Sequence, residues 1–281
     1  MEQKLKVGVL GATGMVGQRF VTLLENHPWF ELVAVAASPR SAGKTYEEAV
    51  GGRWKMKTPM PEAAKNLVVL NVNQVEEVAA QVDFVFSAVD MSKDEIRAIE
   101  EAYAKAEVPV VSNNSAHRWT PDVPMMVPEL NPEHAEIIPY QRKRLGTKRG
   151  FIAVKPNCSI QSYTPALHAL REFEPTLVVA TTYQAISGAG KTFKDWPEMI
   201  DNVIPYIAGE EEKSEQEPLR IWGKIEDGVI KKAEGPLITT QCIRVPVEDG
   251  HTAAVFVNFK KKPTRKRSLI VGTISAASRR S

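Results

Sequence analysis

The sequence predicts an α/β protein with an N-terminal Rossmann-type, doubly wound parallel sheet and a C-terminal α+β domain with a mixed sheet. In the first half, short apolar runs alternate with amphipathic stretches, which is the pattern of strands and crossover helices. In the second half the apolar runs are longer and few helical patterns separate them, which favours a mixed or antiparallel sheet.

Five short apolar runs in the first half are predicted to form strands. They cover residues 6–10, 31–38, 66–72, 82–89 and 108–115. Helices are expected over 15–27 and 92–107, the second with Ser92 as its N-cap residue. Parallel sheets of this kind bind ligands at the carboxyl ends of their strands.

A polar, proline-marked segment after residue 130 interrupts the pattern, so we predict a first domain over residues 1–132. The second domain is expected over 133–262, followed by a basic tail over 263–281. Its β-rich runs cover residues 151–156, 176–187, 228–247 and 251–260.

Composition narrows the class of protein. Hydrophobic residues make up 43% and charged residues 25%, as in soluble globular proteins. No apolar run reaches membrane-spanning length, no signal peptide is evident, and two cysteines form no disulfide framework, so a cytoplasmic location without membrane partners is expected. The basic run over 260–267 lacks aromatic interleaving, which argues for a solvated tail and against nucleic-acid binding.

The stretch GATGMVG, residues 11–17, follows the first strand and opens the first helix. Gly11 would allow the tight turn, Gly14 the approach of a pyrophosphate, and Gly17 close packing of helix on strand. Free amides at the helix start would bind the phosphates. The predicted dinucleotide contacts here are Gly11, Thr13, Gly14, Met15, Val16 and Gly17.

The end of the second strand indicates which dinucleotide is bound. An NAD site would place a carboxylate there, but the sequence reads AASPRSAGK. Ser38, Arg40 and Ser41 suit a 2′-phosphate, so NADP is predicted. A solvated basic loop is the alternative.

Cys158 lies at a predicted strand-to-helix junction, with Ser159–Gln161 expected to form the first helical turn. A helix N-terminus lowers a thiol pKa, and the thiolate is the nucleophile. A buried structural cysteine is the alternative, and Cys242, inside a strand-like run, is expected to be one.

Five motifs in order, GATGMVGQ, SNNSAHR, PNCS, TYQAISGAG and IRVPVEDGH, resemble those of the aspartate-semialdehyde dehydrogenases, especially the archaeal and fungal branch. The resemblance implies NADP-dependent, phosphate-requiring oxidation of aspartate semialdehyde to 4-aspartyl phosphate through a cysteine thioester. This step leads toward lysine, threonine and methionine. It also implies a homodimer or homotetramer built through the second domain, with no metal.

The resemblance also implies roles for individual residues. Cys158 matches the nucleophile, His251 the general acid–base, and Gln184 the glutamine that orients the substrate. Arg244 matches the arginine that binds the substrate carboxylate, and Glu210 the contact to its amino group. The phosphate-binding positions are Asn157, Arg118 and Lys213, and two further cofactor positions are Ser87 and Gly188.

One geometric difficulty follows from these assignments. If Asp249-Gly250 formed a two-residue hairpin, Arg244 and His251 would lie roughly 13 Å apart along a strand, too far for one small substrate. The assignment therefore requires a wider loop or a bend across VPVED.

Members of the family are longer, with a terminal glycine-rich stretch near the nicotinamide and a last helix on the dinucleotide domain. Neither pattern appears in TRKRSLIVGTISAASRRS, so an open, mobile cofactor site is expected. Two alternatives stay open: a malonyl-CoA reductase of the same fold, and a catalytically impaired nucleotide-binding protein.

Overall fold

The computed structural model of the chain describes residues 3–269, which form two compact units. The first unit contains the residues up to Met125, together with Ala135–Lys155 and Asp227–Val229. The second contains Met126–His134, Pro156–Glu226 and the residues from Ile230 onward. Of the predicted basic tail, residues 270–281 lie outside the described residues. Within the described part, Arg267 donates two hydrogen bonds to the carboxylate of Glu172.

The first unit is built on a six-stranded sheet in the order β3-β2-β1-β4-β5-β6, and every neighbouring pair is parallel. Its strands are β1 (Leu5–Leu10), β2 (Phe30–Ala37), β3 (Val69–Asn71), β4 (Phe84–Ser87), β5 (Val110–Ser112) and β6 (Ile152–Val154). The central strands carry fully buried Val7, Val9, Val35 and Val85, as expected for a sheet covered on both faces. The Rossmann-type prediction is confirmed.

Within the described residues, six α-helices belong to this unit: α1 (Met15–Leu23), α2 (Tyr46–Val50), α3 (Glu62–Lys65), α4 (Val75–Ala79), α5 (Lys93–Lys105) and α6 (Ile138–Leu145). Ser92 caps α5 in a capping box with Glu95, as predicted. Helix α1 ends four residues earlier than predicted, because Asn26 adopts a positive φ of 53° that a helix does not contain. The short helices α2, α3 and α4 have too few periodic residues for the pattern to reveal them.

The division between the two units differs from the predicted boundary between residues 132 and 133, and strand β6 shows this difference. We expected residues 151–156 to lie in the second domain, but β6 pairs with β5 through Ser112↔Val154. Gln141 of α6 exchanges two hydrogen bonds with the main chain of Ile152, at 2.6 and 2.9 Å. Helix α6 and strand β6 therefore pack as parts of the first sheet.

The second unit contains a mixed three-stranded sheet, as predicted. Its long middle strand β7 (Pro175–Gln184) pairs in parallel with β10 (Leu237–Arg244) and in antiparallel with β11 (Thr252–Phe259). The other elements of this unit are α7 (Thr164–Ala169), α8 (Glu210–Ile221) and the paired short strands β8 (Lys224–Glu226) and β9 (Val229–Lys231).

The two faces of this sheet differ. On one face, Val178, Ala180 and Cys242 are buried, and α8 packs on β10. On the other, large apolar side chains are exposed, and Phe256 and Val179 pair directly across β11 and β7. Among residues 3–269, the sheet therefore leaves one apolar face of this unit uncovered.

Candidate active site

Cys158 lies in an irregular loop, and its side chain is exposed. The predicted α-helical first turn over Ser159–Gln161 is wrong: a 3-10 turn covers Ile160–Ser162, and α7 begins only at Thr164. Tyr163 interrupts the helical backbone with φ −129°. Because α7 has six residues and starts beyond this break, a helix dipole does not explain the placement of the thiol.

Hydrogen bonds on either side fix the loop around this cysteine. The Asn157 side-chain oxygen accepts from both the backbone N–H and the hydroxyl of Ser159, at 2.8 and 2.6 Å. The backbone N–H of Asn157 donates to the buried carboxylate of Glu217 at 2.6 Å. The main chain that carries the thiol is therefore anchored to α8.

The direct neighbour of the thiol is a histidine, since His251 Nε2 lies 3.2 Å from Cys158 Sγ. The other ring nitrogen, Nδ1, accepts a hydrogen bond from the backbone N–H of Ala185 at 3.0 Å. The carbonyl oxygen of Ala185 accepts from Arg244 Nη1 at 2.7 Å. Ala185, the residue that follows β7, therefore binds both the histidine and the arginine through its main chain.

The geometric difficulty raised by the sequence is resolved by the order of the strands. Strands β10 and β11 are not a hairpin, because β7 lies between them. Arg244 pairs with Gln184 in the sheet, and the segment 245–251 crosses the end of β7. Main-chain bonds from Val245 to Gln184 and from Ile186 to Val247 hold this crossing. Arg244 and His251 thus approach from opposite sides of one strand.

The position of Gly188 shows how closely the His251 and Arg244 side chains approach each other. A Cβ atom on Gly188 would lie 2.9 Å from His251 Nε2 and 3.0 Å from Arg244 Nη1. We predicted this glycine to contact the cofactor, and the structure places it against the histidine and the arginine. Only glycine leaves both side chains in these positions.

Helix α8 presents a polar stripe, Glu210, Lys213, Ser214 and Glu217, which repeats at helical spacing. Glu210 accepts hydrogen bonds from Lys213 (2.7 Å), Asn157 (2.9 Å) and Gln184 (3.4 Å). Burial alone would raise the pKa of Glu210, but the bonds from Lys213 and Asn157 hold it below its usual value. The carboxylate is therefore ionised at neutral pH.

Arg244 is also buried, and burial lowers its pKa against the opposing attraction of Glu210 and Cys158. Cys242 is fully buried, and its sulfur lies 3.6 Å from the Ser214 hydroxyl. The prediction that Cys242 is a buried strand residue is confirmed. The second unit thus brings together Cys158, His251, Gln184, Arg244, Glu210, Lys213 and Asn157.

Arg118 belongs to the first unit. Its guanidinium is buried and donates from Nε to the carbonyl oxygen of Lys155 at 3.1 Å. Helix α5 supports the loop that carries it, because Arg97 binds the carbonyl of Ala116 and buried Glu100 accepts from Asn114.

The first unit also contains the predicted dinucleotide pocket, at the carboxyl ends of β1, β2 and β4. Of the predicted contacts, Gly11, Thr13, Gly14, Ser38 and Arg40 line it. Met15, Val16, Gly17, Ser41 and Ser87 do not; Gly17 packs against the turn, and the Ser87 hydroxyl is fully buried and accepts from Asn114 at 3.2 Å. Arg53, which the sequence pattern did not single out, lines the same pocket.

The glycine turn fits a dinucleotide. A Cβ on Gly11 would lie 2.3 Å from the Ala88 carbonyl oxygen, and Gly11 has φ +76°. A Cβ on Gly17 would lie 2.2 Å from the Gly11 carbonyl oxygen. Buried Tyr46 and Gln18 bind the turn through the carbonyls of Ala12 and Thr13. The turn therefore keeps its backbone open toward the pocket.

Residues 3–269 contain neither a metal-site cluster nor a membrane-spanning helix. No cluster of three or more His, Cys, Asp or Glu side chains in this range has the arrangement of a metal site. None of its helices combines the length and the apolarity needed to cross a membrane.

Comparison with known proteins agrees with this geometry. Residues 6–138 match the family model described as semialdehyde dehydrogenase, NAD binding domain, and residues 166–274 match semialdehyde dehydrogenase, dimerisation domain. The aspartate-semialdehyde dehydrogenase of Aspergillus fumigatus is 43% identical over 264 residues, which are 92% of this chain and 71% of that protein. This chain belongs to the aspartate-semialdehyde dehydrogenase family.

Relatives of this family from other sources support the same assignment. The Methanothermobacter thermautotrophicus enzyme is 43% identical over 91% of this chain and 71% of its own length. The crystal structure of the Candida albicans enzyme with NADP has a TM-score of 0.81 and 39% identity, and the match covers 93% of this chain and 73% of that one. The predicted resemblance to the archaeal and fungal branch is confirmed, and the two alternative functions are not favoured.

Proposed function

We propose that this protein is an aspartate-semialdehyde dehydrogenase that oxidises aspartate semialdehyde, with phosphate, to 4-aspartyl phosphate. The observation that carries the proposal is the contact of Cys158 Sγ with His251 Nε2, beside Arg244, in a member of this family. Such a thiol and imidazole pair suits attack on a carbonyl carbon.

The substrate is bound through its two charged groups. The Arg244 guanidinium has donors beyond Nη1, and its planar fork suits the substrate carboxylate. Glu210, ionised and partly buried, suits the substrate ammonium group. Gln184, at the end of β7 and 3.4 Å from Glu210, is placed to orient the carbonyl beside the thiol.

The reaction proceeds in two halves. The Cys158 thiolate attacks the aldehyde carbon, and loss of hydride from the adduct leaves a thioester. Phosphate then attacks the thioester carbon and expels the thiolate. Lys213 and Asn157 supply a cation and a hydrogen-bonding group that this second anion requires, and they are proposed as phosphate-binding residues. For Arg118, the phosphate-binding role stays a prediction from the family resemblance.

NADP is the proposed hydride acceptor, because its oxidised nicotinamide would take up the hydride. Gly11, Thr13 and Gly14 would hold its pyrophosphate, and Ser38 and Arg40 its 2′-phosphate. Support comes from the absence of a carboxylate at the end of β2 and from the Candida albicans relative with NADP. Arg40 is exposed and makes no hydrogen bond or ion pair within residues 3–269, so its charge remains available.

A homodimer or homotetramer is proposed, with one contact through the uncovered sheet face. Exposed Phe256, Val179, Tyr183 and Leu237 support it, because apolar patches of this kind mark interfaces. The match to a dimerisation domain over residues 166–274 agrees with it. A cytoplasmic location and a step toward lysine, threonine and methionine complete the proposal; neither Cys158 nor Cys242 forms a disulfide, which suits a reducing compartment.

The test is an assay with aspartate semialdehyde, NADP and phosphate, which follows nicotinamide absorbance. Cys158→Ser should abolish turnover while NADP affinity stays near that of the wild type. Cys242→Ser is the matched control and should retain turnover. Equal activity with and without phosphate, or equal loss from both substitutions, would contradict the proposal.

A further inference from the structure

We propose that Ser159 and Ser214 are positioning residues for the side chain of Asn157. Their hydroxyl groups form a chain of hydrogen bonds that runs in one direction and ends on the oxygen of this amide. Because the oxygen is held there, only the N–H groups of Asn157 can face a bound phosphate. This inference rests on the proposed function, since it explains how Asn157 donates to the phosphate of the second half-reaction.

The orientation of the Asn157 amide follows from its partners. Its Oδ1 accepts the backbone N–H of Ser159 at 2.8 Å, and a backbone nitrogen is a donor only. Its Nδ2 lies 2.9 Å from the carboxylate of Glu210, which is an acceptor when ionised. The oxygen and the nitrogen of the amide therefore cannot exchange places. The Ser159 hydroxyl, 2.6 Å from Oδ1, must donate to it.

The direction of the remaining hydrogen bonds follows from the first. A serine hydroxyl has one hydrogen, and Ser159 uses its own on Asn157. In the 3.0 Å contact between the hydroxyls of Ser159 and Ser214, the donor must therefore be Ser214. By the same reasoning the S–H of Cys242 donates to the Ser214 hydroxyl, at 3.6 Å. Cys242 lies at the far end of this chain from Asn157, and we assign it no part in catalysis.

Burial favours this single arrangement of the hydrogen atoms. Ser159, Ser214 and Cys242 are fully buried, and Asn157 is 4% exposed. A buried hydroxyl that loses its partner has little water to replace it, so turning any one group of the chain leaves a donor or an acceptor unpaired. The chain therefore restricts the Asn157 side chain from the interior of the second unit.

The consequence for phosphate binding comes from the two ends of an amide. The oxygen is an acceptor and would repel a phosphate, whereas the nitrogen has two hydrogens to donate. Two donors of Ser159 already occupy Oδ1, and one Nδ2 hydrogen binds Glu210. Among residues 3–269, no further acceptor binds Nδ2, so its second hydrogen is left for the phosphate. Asn157 is thus a donor of fixed direction.

Steady-state and burst kinetics on the full-length protein test this role. Ser159→Ala removes the hydroxyl donor and keeps the backbone N–H. We expect the KM for inorganic phosphate to rise about three- to tenfold, as for the loss of one neutral hydrogen bond. The burst of hydride transfer without phosphate should keep its wild-type rate, because the first half-reaction does not use the phosphate.

Ser162→Ala is the matched control. Ser162 lies in the same turn and its hydroxyl also makes a 2.6 Å hydrogen bond, but the acceptor is the main-chain carbonyl of Ser159 and not the Asn157 amide. This variant should change neither the phosphate KM nor the burst rate.

A second measurement requires no turnover and no dinucleotide. Inorganic phosphate should slow the alkylation of Cys158 by iodoacetamide, and the midpoint of this protection reports phosphate affinity. The midpoint should rise in Ser159→Ala by the same factor as the KM. Ser214→Ala keeps the bond from Ser159 to Asn157, so both quantities should rise by only about two- to threefold; this variant also tests the chain if Ser159→Ala does not fold.

Unchanged phosphate KM and protection midpoint in the folded Ser159→Ala and Ser214→Ala variants would overturn the inference, because Glu210 and the Ser159 N–H would then orient the amide alone. An equal loss of burst rate and phosphate affinity, or the same change in Ser162→Ala, would overturn it in favour of a merely structural role. A wild-type protein without phosphate-dependent turnover would refute the proposed function. A wild-type protein with such turnover, matched by Ser159→Ala in every measurement, would refute only the present inference.

Discussion

Gly188→Ala is the sharpest perturbation that the site offers. The added Cβ would lie 2.8 Å from His251 Cε1, 2.9 Å from His251 Nε2 and 3.0 Å from Arg244 Nη1. Non-bonded carbon atoms pack at about 3.5–4.0 Å, so the ring must move by roughly 0.5–1 Å. Because the methyl group occupies space beside Nε2, this movement would weaken the 3.2 Å contact with Cys158.

The expected effect is on activity. A misplacement of about 1 Å in a catalytic group can cost about 10²-fold in rate, so we expect kcat to fall between tenfold and about 10²-fold. Stability should change by about 0.5 kcal/mol or less, because Gly188 is exposed and its backbone has no positive φ.

Gly190, two residues further along, is the matched control. It has φ +68°, and nothing lies within 4 Å of its Cβ position. Gly190→Ala should therefore lower stability by about 1 kcal/mol through backbone strain and leave the His251 ring in place. Gly188→Ala should therefore lower activity with little change in stability, and Gly190→Ala should lower stability with little change in activity.

The assay compares kcat, NADP affinity by fluorescence titration, unfolding temperature and the rate of Cys158 alkylation in both variants. If Gly188→Ala retains full kcat and the wild-type alkylation rate, the reasoning about the ring is wrong. If it loses NADP affinity with kcat unchanged, the glycine contacts the cofactor, as the sequence predicted.

Three further predictions concern residues outside this cluster of side chains. Arg40→Ala should weaken NADP binding by about 10- to 100-fold and NAD binding little, measured by titration with each dinucleotide; equal weakening would exclude Arg40 as the 2′-phosphate contact. Glu217→Ala should lower the free energy of unfolding by about 1–3 kcal/mol because it leaves the Asn157 N–H unpaired, and Glu217→Gln should restore most of this; similar unfolding temperatures for the two variants would argue otherwise. Backbone amides of Gly150, Lys148 and Arg149 lower the pKa of Glu107 to about 2, so its contribution is present above the unfolded pKa of about 4.5 and lost as pH falls toward 2. Glu107→Gln should thus be less stable than the wild type at neutral pH and should converge with it in acid; a difference that does not depend on pH would disprove this.

The sequence predicted the fold class and the cluster around Cys158 because both depend on local or ordered signals. Buried strands and the N-cap at Ser92 depend on residues that are adjacent in the chain, so they were predicted to within a few residues. The start of the helix after Cys158 was not predicted correctly. The break at Tyr163 depends on packing and on the hydrogen bond from the Tyr163 hydroxyl to the Ser214 carbonyl oxygen.

The order of β10, β7 and β11 in the sheet could not be predicted from the sequence either. A turn-like Asp249-Gly250 predicts a hairpin from local propensity, and the insertion of β7 between the two strands is a tertiary arrangement. The sequence pattern did not indicate Glu217 and Arg53 for a related reason. A single charged residue in a polar helix, or after a glycine pair, has no distinguishing pattern.

Helix α8 shows why such residues matter for function. Its sequence, EEEKSEQEPLRI, has the composition of a solvated acidic helix, yet Ser214 and Glu217 are buried and Glu210 is partly so. Burial of carboxylates is costly unless each is hydrogen-bonded, and here Lys213, Asn157 and Gln184 satisfy Glu210 while the Asn157 main chain satisfies Glu217. The same Asn157 thus binds two carboxylates of α8 and precedes Cys158 in the chain. A change at either carboxylate should therefore alter the position of the thiol as well as stability, which makes the Cys158 alkylation rate the more sensitive measurement.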